Sequence, residues 1–206
     1  MSSSPKAVLV YENLHLMLGY RGLTPISARM EPADMMKTLN INEYVEIHAT
    51  GPAHDLFILL LSPTSIKYAK QTADFKKLIA EISRRKTTKP KRAMIVAEDL
   101  GTHIKKYIGL IDNLAVEHHT YDIFLMELPK HKYCPRHIIA SDEEIKQFCD
   151  THYVNPRMFP KIYVNDAMAV WIGAQIGDCV RVERISENAG LAIIYRLCIP
   201  VPIPKK

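Results

Sequence analysis

The run Leu56–Leu61 is the feature that most constrains the fold of this chain. It is six consecutive apolar residues, and no stretch of apolar residues in the sequence is longer. A membrane-spanning helix needs about 18 or more such residues, so this run has the length of a strand and no membrane span is expected. Strand side chains alternate between the two faces of a sheet, and here both faces are apolar. The sequence therefore predicts that Asp55–Leu61 is a central strand, covered on both sides.

Helices and further strands are predicted around this strand. The dipeptide Ser4-Pro5 suits the start of a first helix, and Gly22 suits its end. Alternating apolar and polar residues in Tyr44–Thr50 predict a half-buried strand. The other predicted elements are helices at Pro32–Leu39, Pro63–Arg85 and Thr102–Leu110, and strands at Ala93–Ala97 and Tyr121–Leu128. This order predicts a mixed α/β layer domain.

The composition changes at Pro129–Pro135, which is polar and rich in proline. Such segments separate domains, so we expect an N-terminal α/β domain of residues 1–130 and a small C-terminal α+β domain of residues 131–206. In the second domain, Ser141 and Glu144 have the spacing of a capping box that begins a helix ending near Tyr153. The other predicted elements there are a helix Ala167–Ile172 capped by Asp166, and a hairpin of strands Cys179–Ile185 and Leu191–Ile199 joined by the loop Ser186–Gly190.

One segment of the chain concentrates positive charge. The whole sequence has 27 Lys and Arg against 22 Asp and Glu, a net charge of +5 that permits contact with nucleic acid without requiring it. In Arg84–Arg92, six of nine residues are basic and none is acidic. This cluster predicts a surface for nucleic-acid phosphates or for an acidic partner. The alternative is a solvated loop, whose cations would suit the C-terminus of the preceding helix.

Metal binding and catalysis have weaker signals. The triplet His131, Cys134 and His137 has the spacing of a partial zinc site, but a structural zinc ion needs four ligands, so no metal or other cofactor is expected. His118 and His119 are adjacent, so they cannot both point to one face of a strand. The four cysteines form no CxxC pair and are expected to be reduced thiols.

No common hydrolase, phosphate-loop or dinucleotide motif is present. Glu98 and Asp99 follow a predicted buried strand, which is a common position for active-site acids, so a metal-dependent nuclease remains an alternative. The N-terminus lacks the layout of a secretory signal, and the expected location is inside a cell.

The C-terminal third resembles a known family through a long series of residues in order. This part of the chain is similar to the fifth subunit shared by eukaryotic nuclear RNA polymerases, whose C-terminal domain corresponds to a small archaeal polymerase protein. Gly19–Leu23 resembles the end of the first helix of that family, so the likeness extends over nearly the whole chain. The residues that match the family pattern are His131, Pro135, His137, Pro160, Ile162, Asp166, Ala169, Gly173, Gly177, Val180, Arg184, Ser186, Glu187, Gly190, Tyr195 and Arg196.

The resemblance implies a non-catalytic subunit of a multisubunit DNA-dependent RNA polymerase. The C-terminal domain would dock on the largest subunit, and the N-terminal domain would form a jaw beside downstream duplex DNA, contacting it without sequence specificity. The implied docking residues are His131, Pro135, His137, Asp166, Arg184, Ser186, Glu187, Gly190, Tyr195 and Arg196. The residues that the jaw implies to lie near DNA are Thr102, His103, Lys105 and Lys106. The basic cluster adds Arg84, Arg85, Lys86, Lys89 and Lys91.

Several positions depart from the family pattern. The loop Glu98–Lys106 lacks the proline and serine that the family has near DNA, and the turn before Gly177 carries Ile176 instead of an arginine. These departures indicate a divergent member, either a viral copy or a paralogue assigned to one polymerase. The location implied is the nucleus for a cellular protein, or the host cytoplasm or virion for a viral one. A free-standing DNA-binding adaptor is a further alternative.

Overall fold

The computed structural model describes residues 3–186 and 190–202. The chain divides between Met126 and Glu127 into two compact units, four residues before the boundary that composition predicts. Each unit is built on its own mixed sheet with helices, and the predicted mixed α/β class is confirmed. Within the described residues, no helix has both the length and the apolar character that a membrane span requires.

The first unit is a five-stranded sheet in which the strands follow one another in chain order. Strands β1 to β3 are antiparallel neighbours, and β3, β4 and β5 are parallel. The elements are α1 (Ser3–Tyr20), β1 (Thr24–Pro25), α2 (Pro32–Asn42), β2 (Tyr44–Thr50), β3 (Asp55–Leu61), α3 (Thr72–Arg84), β4 (Lys91–Ala97), α4 (Thr102–Ile108) and β5 (Ala115–Thr120). The prediction for the apolar run is confirmed, because β3 is the third of five strands and all seven of its residues are buried.

The core of this unit forms where α3 and α4 cover one face of the sheet. Alternate residues of β3 and β4 point to this face and meet the apolar stripe of α3 and the inward residues of α4. The residues of this core include Phe57, Leu59, Ile95, Phe75, Leu78, Ile82, Ile104 and Ile108. Helix α1 contacts α2 and β1.

The long helix predicted for Pro63–Arg85 is wrong in its first half. The helix α3 begins only at Thr72. In the segment before it, the chain is held by hydrogen bonds to side chains. Ser65 donates through its hydroxyl to the Glu43 carboxylate at 2.7 Å and accepts from the Tyr68 amide at 3.2 Å. Serine hydroxyls offer such local alternatives to helical hydrogen bonds, which explains the later start.

The strand predicted for Tyr121–Leu128 is also wrong. The fifth strand is the preceding segment, β5, and Tyr121–Phe124 is a turn of 3₁₀ helix. Tyr121 and Phe124 are three residues apart, so they point to the same side of this turn, and both are buried. The Asn13 amide of α1 donates to the Phe124 carbonyl at 2.8 Å, and the Tyr121 hydroxyl donates to the Leu61 carbonyl.

The second unit is a four-stranded sheet with the order β6-β8-β9-β7. Its elements are β6 (Arg136–Ile139), α5 (Asp142–His152), β7 (Lys161–Tyr163), α6 (Ala167–Ile172), β8 (Cys179–Ser186) and β9 (Gly190–Ile199), with short 3₁₀ turns at Leu128–Lys130 and Pro156–Met158. The predicted hairpin is confirmed: β8 and β9 pair antiparallel from Cys179 with Leu197 to Ser186 with Gly190. Two small clusters of buried side chains fill the two faces of the sheet, one of them against α6.

Candidate functional site

The basic cluster Arg84–Arg92 lies between α3 and β4, and one of its arginines is part of the fold. Arg85 forms a bidentate ion pair with Glu46 of β2, with Nη2 2.9 Å from Oε2. Its guanidinium also lies 5.3 Å from the centre of the Phe57 ring. This arginine is therefore neutralised by a residue 39 positions earlier in the sequence.

Two lysines of the same cluster are also held by the unit itself. Lys91 donates through its ammonium group to the carbonyls of Ser83 and Arg85, the latter at 2.7 Å, where a cation suits the helix C-terminus. Lys89 donates to the Gly51 carbonyl at 2.6 Å. The three remaining cations, Arg84, Lys86 and Arg92, make no hydrogen bond or ion pair within the part of the chain that the structure describes, and the first two are exposed.

The predicted DNA-proximal residues of α4 lie at a different place from the basic cluster. Thr102, His103, Lys105 and Lys106 are all exposed, while Ile104 and Ile108 on the other side of the helix are buried. The basic cluster ends at the start of β4, and α4 begins beyond its end. At about 3.3 Å per residue, the seven residues of β4 separate the two groups by about 20 Å. The structure therefore divides the predicted DNA-proximal residues into two sites.

The acidic pair Glu98 and Asp99 is exposed at the end of β4. Glu98 lies 3.5 Å from the Lys6 ammonium group, and Asp99 lies 4.0 Å from that of Lys105. Over residues 3–186 and 190–202, no three His, Cys, Asp or Glu side chains are grouped so that they could hold a metal ion. His118 and His119 lie on opposite faces of β5, as their adjacency predicts, and the structure shows that His118 is exposed and His119 is buried.

In the second unit, the matched histidines shape a turn before β6. The Cys134 amide donates to the His131 carbonyl at 2.9 Å, and His137 donates from Nδ1 to the Pro135 carbonyl at 2.8 Å. Because a carbonyl oxygen only accepts, Nδ1 carries the hydrogen in this bond, and burial lowers the pKa of His137. The histidines therefore hold backbone geometry, with Cys134 half-buried beside them.

Asp166 and Glu144 have specific structural partners. Asp166 caps α6 by accepting a hydrogen bond from the Met168 amide at 2.9 Å, as predicted. The predicted capping box is confirmed in part: the Ser141 hydroxyl accepts from the Glu144 amide at 3.1 Å, but the Glu144 carboxylate turns toward the sheet. It accepts from the Tyr195 hydroxyl at 2.7 Å and from Arg181 at 3.0 Å.

The network of Glu144, Tyr195 and Arg181 shifts the pKa values of Glu144 and Tyr195. The hydrogen bond from Tyr195 lowers the pKa of Glu144 against the opposing effect of burial, with a further contribution from Arg181. Burial, together with the hydrogen bond to Glu144, raises the pKa of Tyr195 to about 12. The Arg196 Nε atom next to it is buried without a hydrogen-bond partner in the described part of the chain.

The tip of the hairpin carries the remaining predicted docking residues. Arg184 is exposed, and Ser186 pairs with Gly190, whose φ of 68° suits glycine. Glu187 lies outside the described residues. Sequence reasoning missed the apolar side chains at this tip: Ile185 is 95% exposed, Leu191 58% and Ile193 48%. Their alternation with the residues of the opposite face predicts the hairpin, but it does not say which face is exposed.

A groove of about 870 Å³ adjoins this tip. One side is the turn of residues 132–136, and the other is formed by residues 183–185 of β8 and by Leu191, Ala192 and Ile194 of β9. No pattern in the sequence predicted this groove.

Comparison with known proteins identifies the family of the second unit. Residues 126–198 match the family described as RNA polymerase Rpb5, C-terminal domain. The DNA-directed RNA polymerase subunit Rpo5 of Methanothrix thermoacetophila is 41% identical over 69 residues, which are 34% of this chain and 88% of that protein. The chain belongs to the RNA polymerase Rpb5 family. The corresponding subunit of Methanocaldococcus jannaschii is 39% identical over 74 residues, 36% of this chain and 95% of that protein.

A viral relative extends the Rpb5 similarity over nearly the whole chain. The DNA-directed RNA polymerase RPB5 homolog of African swine fever virus (isolate Tick/South Africa/Pretoriuskop Pr4/1996) is 23% identical over 195 residues, 91% of this chain and 94% of that protein. The resemblance drawn from the sequence is therefore confirmed, and the low identity agrees with a divergent member of the Rpb5 family.

Proposed function

We propose that this Rpb5-family chain is a non-catalytic subunit of a multisubunit DNA-dependent RNA polymerase, and that its C-terminal domain, residues 131–206, docks on the largest subunit. The location of the docking surface is inferred from the apolar side chains exposed at the hairpin tip. Ile185, Leu191 and Ile193 are exposed side by side on one face of the hairpin. Grouped apolar side chains on a protein surface are typical of interaction sites.

The neighbouring polar residues support the same surface. Arg184 is exposed on the opposite face of the hairpin and makes no ion pair with any described residue, so it is available to a partner. The Glu144, Arg181 and Tyr195 network joins α5 to both strands of the hairpin and keeps it rigid. A rigid hairpin loses little conformational entropy when a partner binds to it.

The N-terminal domain, residues 1–130, serves in this proposal as a jaw beside downstream duplex DNA. Contacts to phosphate position a protein on DNA without reading its sequence, so a few exposed cations are sufficient. The exposed cations at the two ends of β4 are Arg84 and Lys86 at one end and Lys105 and Lys106 at the other. Arg85, Lys89 and Lys91 are engaged within the unit and contribute to its stability instead.

Co-purification tests the docking proposal. An affinity-tagged chain is expressed in its native cell and isolated, and the co-purifying proteins are identified by mass spectrometry. The wild type is expected to bring the largest polymerase subunit with it, and the double variant Arg184→Ala/Glu187→Ala is expected to bring much less. Undiminished recovery by the variant would argue against this face. Migration of the native chain alone, near its mass of 23.5 kDa, would favour a free-standing adaptor instead.

A further inference from the structure

The groove beside the hairpin exists because the pairing of β6 with β8 stops early. Arg136 is the first residue of β6 and lies opposite Glu183. If the same register continued, Cys134 would lie opposite Ile185. The Cys134 amide is instead turned to the His131 carbonyl at 2.9 Å, so the chain leaves the edge of β8 at this point. The groove opens between the departing turn and the hairpin.

The backbone of Ile185 faces this groove without a strand partner. In β8 the Cys179 carbonyl accepts from the Ala140 amide, so Cys179 directs its backbone groups toward β6. Backbone direction alternates along a strand, and Ile185 therefore points the same way as Cys179. No described residue pairs with its amide or carbonyl. An exposed strand edge of this kind is completed by an added extended chain.

The charge of the groove selects the kind of chain that fits. Its rim carries Lys132, Arg136 and Arg184 against the single carboxylate of Glu183. That carboxylate is already shared, because it lies 2.9 Å from Arg181 and 3.5 Å from Arg136. The groove is therefore positive overall, and acidic side chains are its electrostatic complement.

The face of the hairpin that carries Ile185 is apolar beside the groove. Ile185 lies opposite Leu191 across the hairpin and both line the groove, whereas Arg184 lies opposite Ala192 on the other face. An extended segment alternates its side chains between two directions. A segment added at Ile185 would place every second residue toward Ile185 and Leu191, and the residues between them toward the face of Arg184.

We propose that this groove binds an extended, acidic segment of the largest RNA polymerase subunit, which adds to the edge of β8 at Ile185. The inference rests on the proposed function and specifies the chemistry of the docking partner: alternating apolar and acidic residues in an extended conformation. Apolar side chains contact Ile185 and Leu191, and carboxylates pair with Arg184 on the other face and with Lys132 at the rim.

Peptide binding to the full-length chain tests the chemistry directly. A fluorescein-labelled ten-residue peptide of alternating Glu and Val is titrated with the protein, and its fluorescence anisotropy is followed. The same peptide methylated on alternate backbone nitrogens cannot add to a strand edge, and a peptide of alternating Lys and Val has the wrong charge. We expect the Glu-Val peptide to bind, more weakly at higher salt, and both control peptides to bind at least tenfold more weakly or not at all. Equal binding of the methylated peptide would overturn strand addition, and equal binding of the Lys-Val peptide would overturn the charge argument.

Charge reversal locates the site. The double variant Lys132→Glu/Arg184→Glu is expected to weaken binding of the Glu-Val peptide by about tenfold or more, since two rim charges change sign. The matched control is Lys146→Glu, an exposed lysine of α5 that does not line the groove, and it should bind as the wild type does. Circular dichroism confirms that both variants are folded. Unchanged binding by a folded double variant would overturn the site.

Two outcomes separate this inference from the proposed function. If the wild-type chain co-purifies with the polymerase and the variant Lys132→Glu/Arg184→Glu does so equally well, the groove is not the docking site although the chain is still a polymerase subunit. If the Glu-Val peptide binds but the chain is absent from the polymerase, the assignment to the largest subunit fails. Self-association of the free chain that the peptide disperses would show a second copy in the groove, and would also overturn the inference.

Discussion

The guanidinium of Arg21 and the carboxylate of Glu117 form a bidentate ion pair, with Nη1 2.6 Å from Oε1 and Nη2 3.3 Å from Oε2. Arg21 follows the end of α1, and Glu117 lies on the last strand of the first sheet, 96 positions later in the chain. His119 approaches the same carboxylate at 3.0 Å. Burial disfavours the ionised form of Glu117, but Arg21 and His119 outweigh it and hold the pKa of Glu117 well below its usual range.

Loss of this ion pair is expected to destabilise the N-terminal unit. The Arg21 side chain is only 6% exposed, so Glu117→Gln removes a carboxylate that neutralises a buried cation. We expect the free energy of unfolding to fall by about 3 kcal/mol, near the lower end for broken buried pairs. Urea unfolding measures the change. The control is Asp34→Asn, which removes the exposed pair with Lys37 and is expected to change stability by less than about 1 kcal/mol. Equal effects of the two substitutions would contradict a special role for Glu117.

The stability of the C-terminal unit is expected to decrease in mild acid because of His137. Burial lowers the pKa of His137 below that of a histidine in the unfolded chain, so the unfolded state binds the proton more readily. By linkage, the free energy of unfolding is highest above about pH 7 and decreases as the pH falls through the unfolded pKa of about 6.5 toward the lower folded value.

The variant His137→Gln tests this origin. Glutamine does not titrate and can still donate to the Pro135 carbonyl, so the loss of stability between about pH 7.5 and about pH 5.5 should be smaller than in the wild type. Urea unfolding at several pH values measures both slopes. Identical slopes would show that His137 is not the origin of the acid sensitivity of this unit.

The cations of the basic cluster are expected to separate into two classes. Arg85→Ala removes the ion pair with Glu46 and should lower the melting temperature without a matching change in DNA affinity. Arg84→Ala/Lys86→Ala removes two exposed cations and should leave the melting temperature within about 1 °C. The slope of log affinity for DNA against log salt concentration should become shallower by about the value of two phosphate contacts. Thermal unfolding and anisotropy with a labelled duplex at several salt concentrations measure these effects. Normal DNA binding by the double variant would place the cluster away from DNA.

Glu144 is expected to stabilise the second unit through side chains rather than through its helix cap. Glu144→Ala removes the acceptor of Tyr195 and Arg181, and should cost about 1.5–3 kcal/mol, the usual range for hydrogen bonds that involve a charged group. Glu143→Ala on the exposed face of the same helix is the matched control, and we expect a change below about 0.5 kcal/mol. If both variants unfold at the same urea concentration, the network contributes nothing to stability.

The thiols are expected to differ in reactivity. Cys198 is buried, and burial together with nearby Asp178 and Asp166 raises its pKa to about 11. The reactive form of cysteine is the thiolate, so iodoacetamide at about pH 8 should leave Cys198 unmodified in the folded protein. All four cysteines should react in urea, because all are free thiols. Mass spectrometry of tryptic peptides measures the extent of labelling. Rapid labelling of Cys198 in the native chain would show that β9 opens easily.

The sequence predicted best those elements whose signal is local. The apolar run of β3 identified a central strand because a strand buried on both faces has no polar alternation. Asp166 was placed correctly at the start of α6, since a capping residue is read from a single position. The strand β5 escaped detection because Glu117, His118 and His119 interrupt any apolar pattern.

The candidate sites depended on partners that are distant in sequence. Six adjacent cations looked like one surface, but Arg85 meets Glu46 across 39 residues, and such pairing has no local signature. The groove could not be predicted, because it depends on the residue at which one strand ladder ends. The hairpin itself was predictable from alternation, whereas the exposure of Ile185 required the positions of β6 and α5.

The order of the strands has a consequence for how the chain folds during synthesis. In the first unit, each strand pairs with the one made just before it, from β1 to β5. Its sheet can therefore grow by one strand at a time behind the ribosome, with few long loops to close. The second unit is different, because β7 finds its partner only when β9 has been made, and Tyr163 pairs with Ile199. The sheet of the second unit is therefore complete only after β9 has been made, and a chain that stops before β9 would lack the pairing of β7 as well as the hairpin.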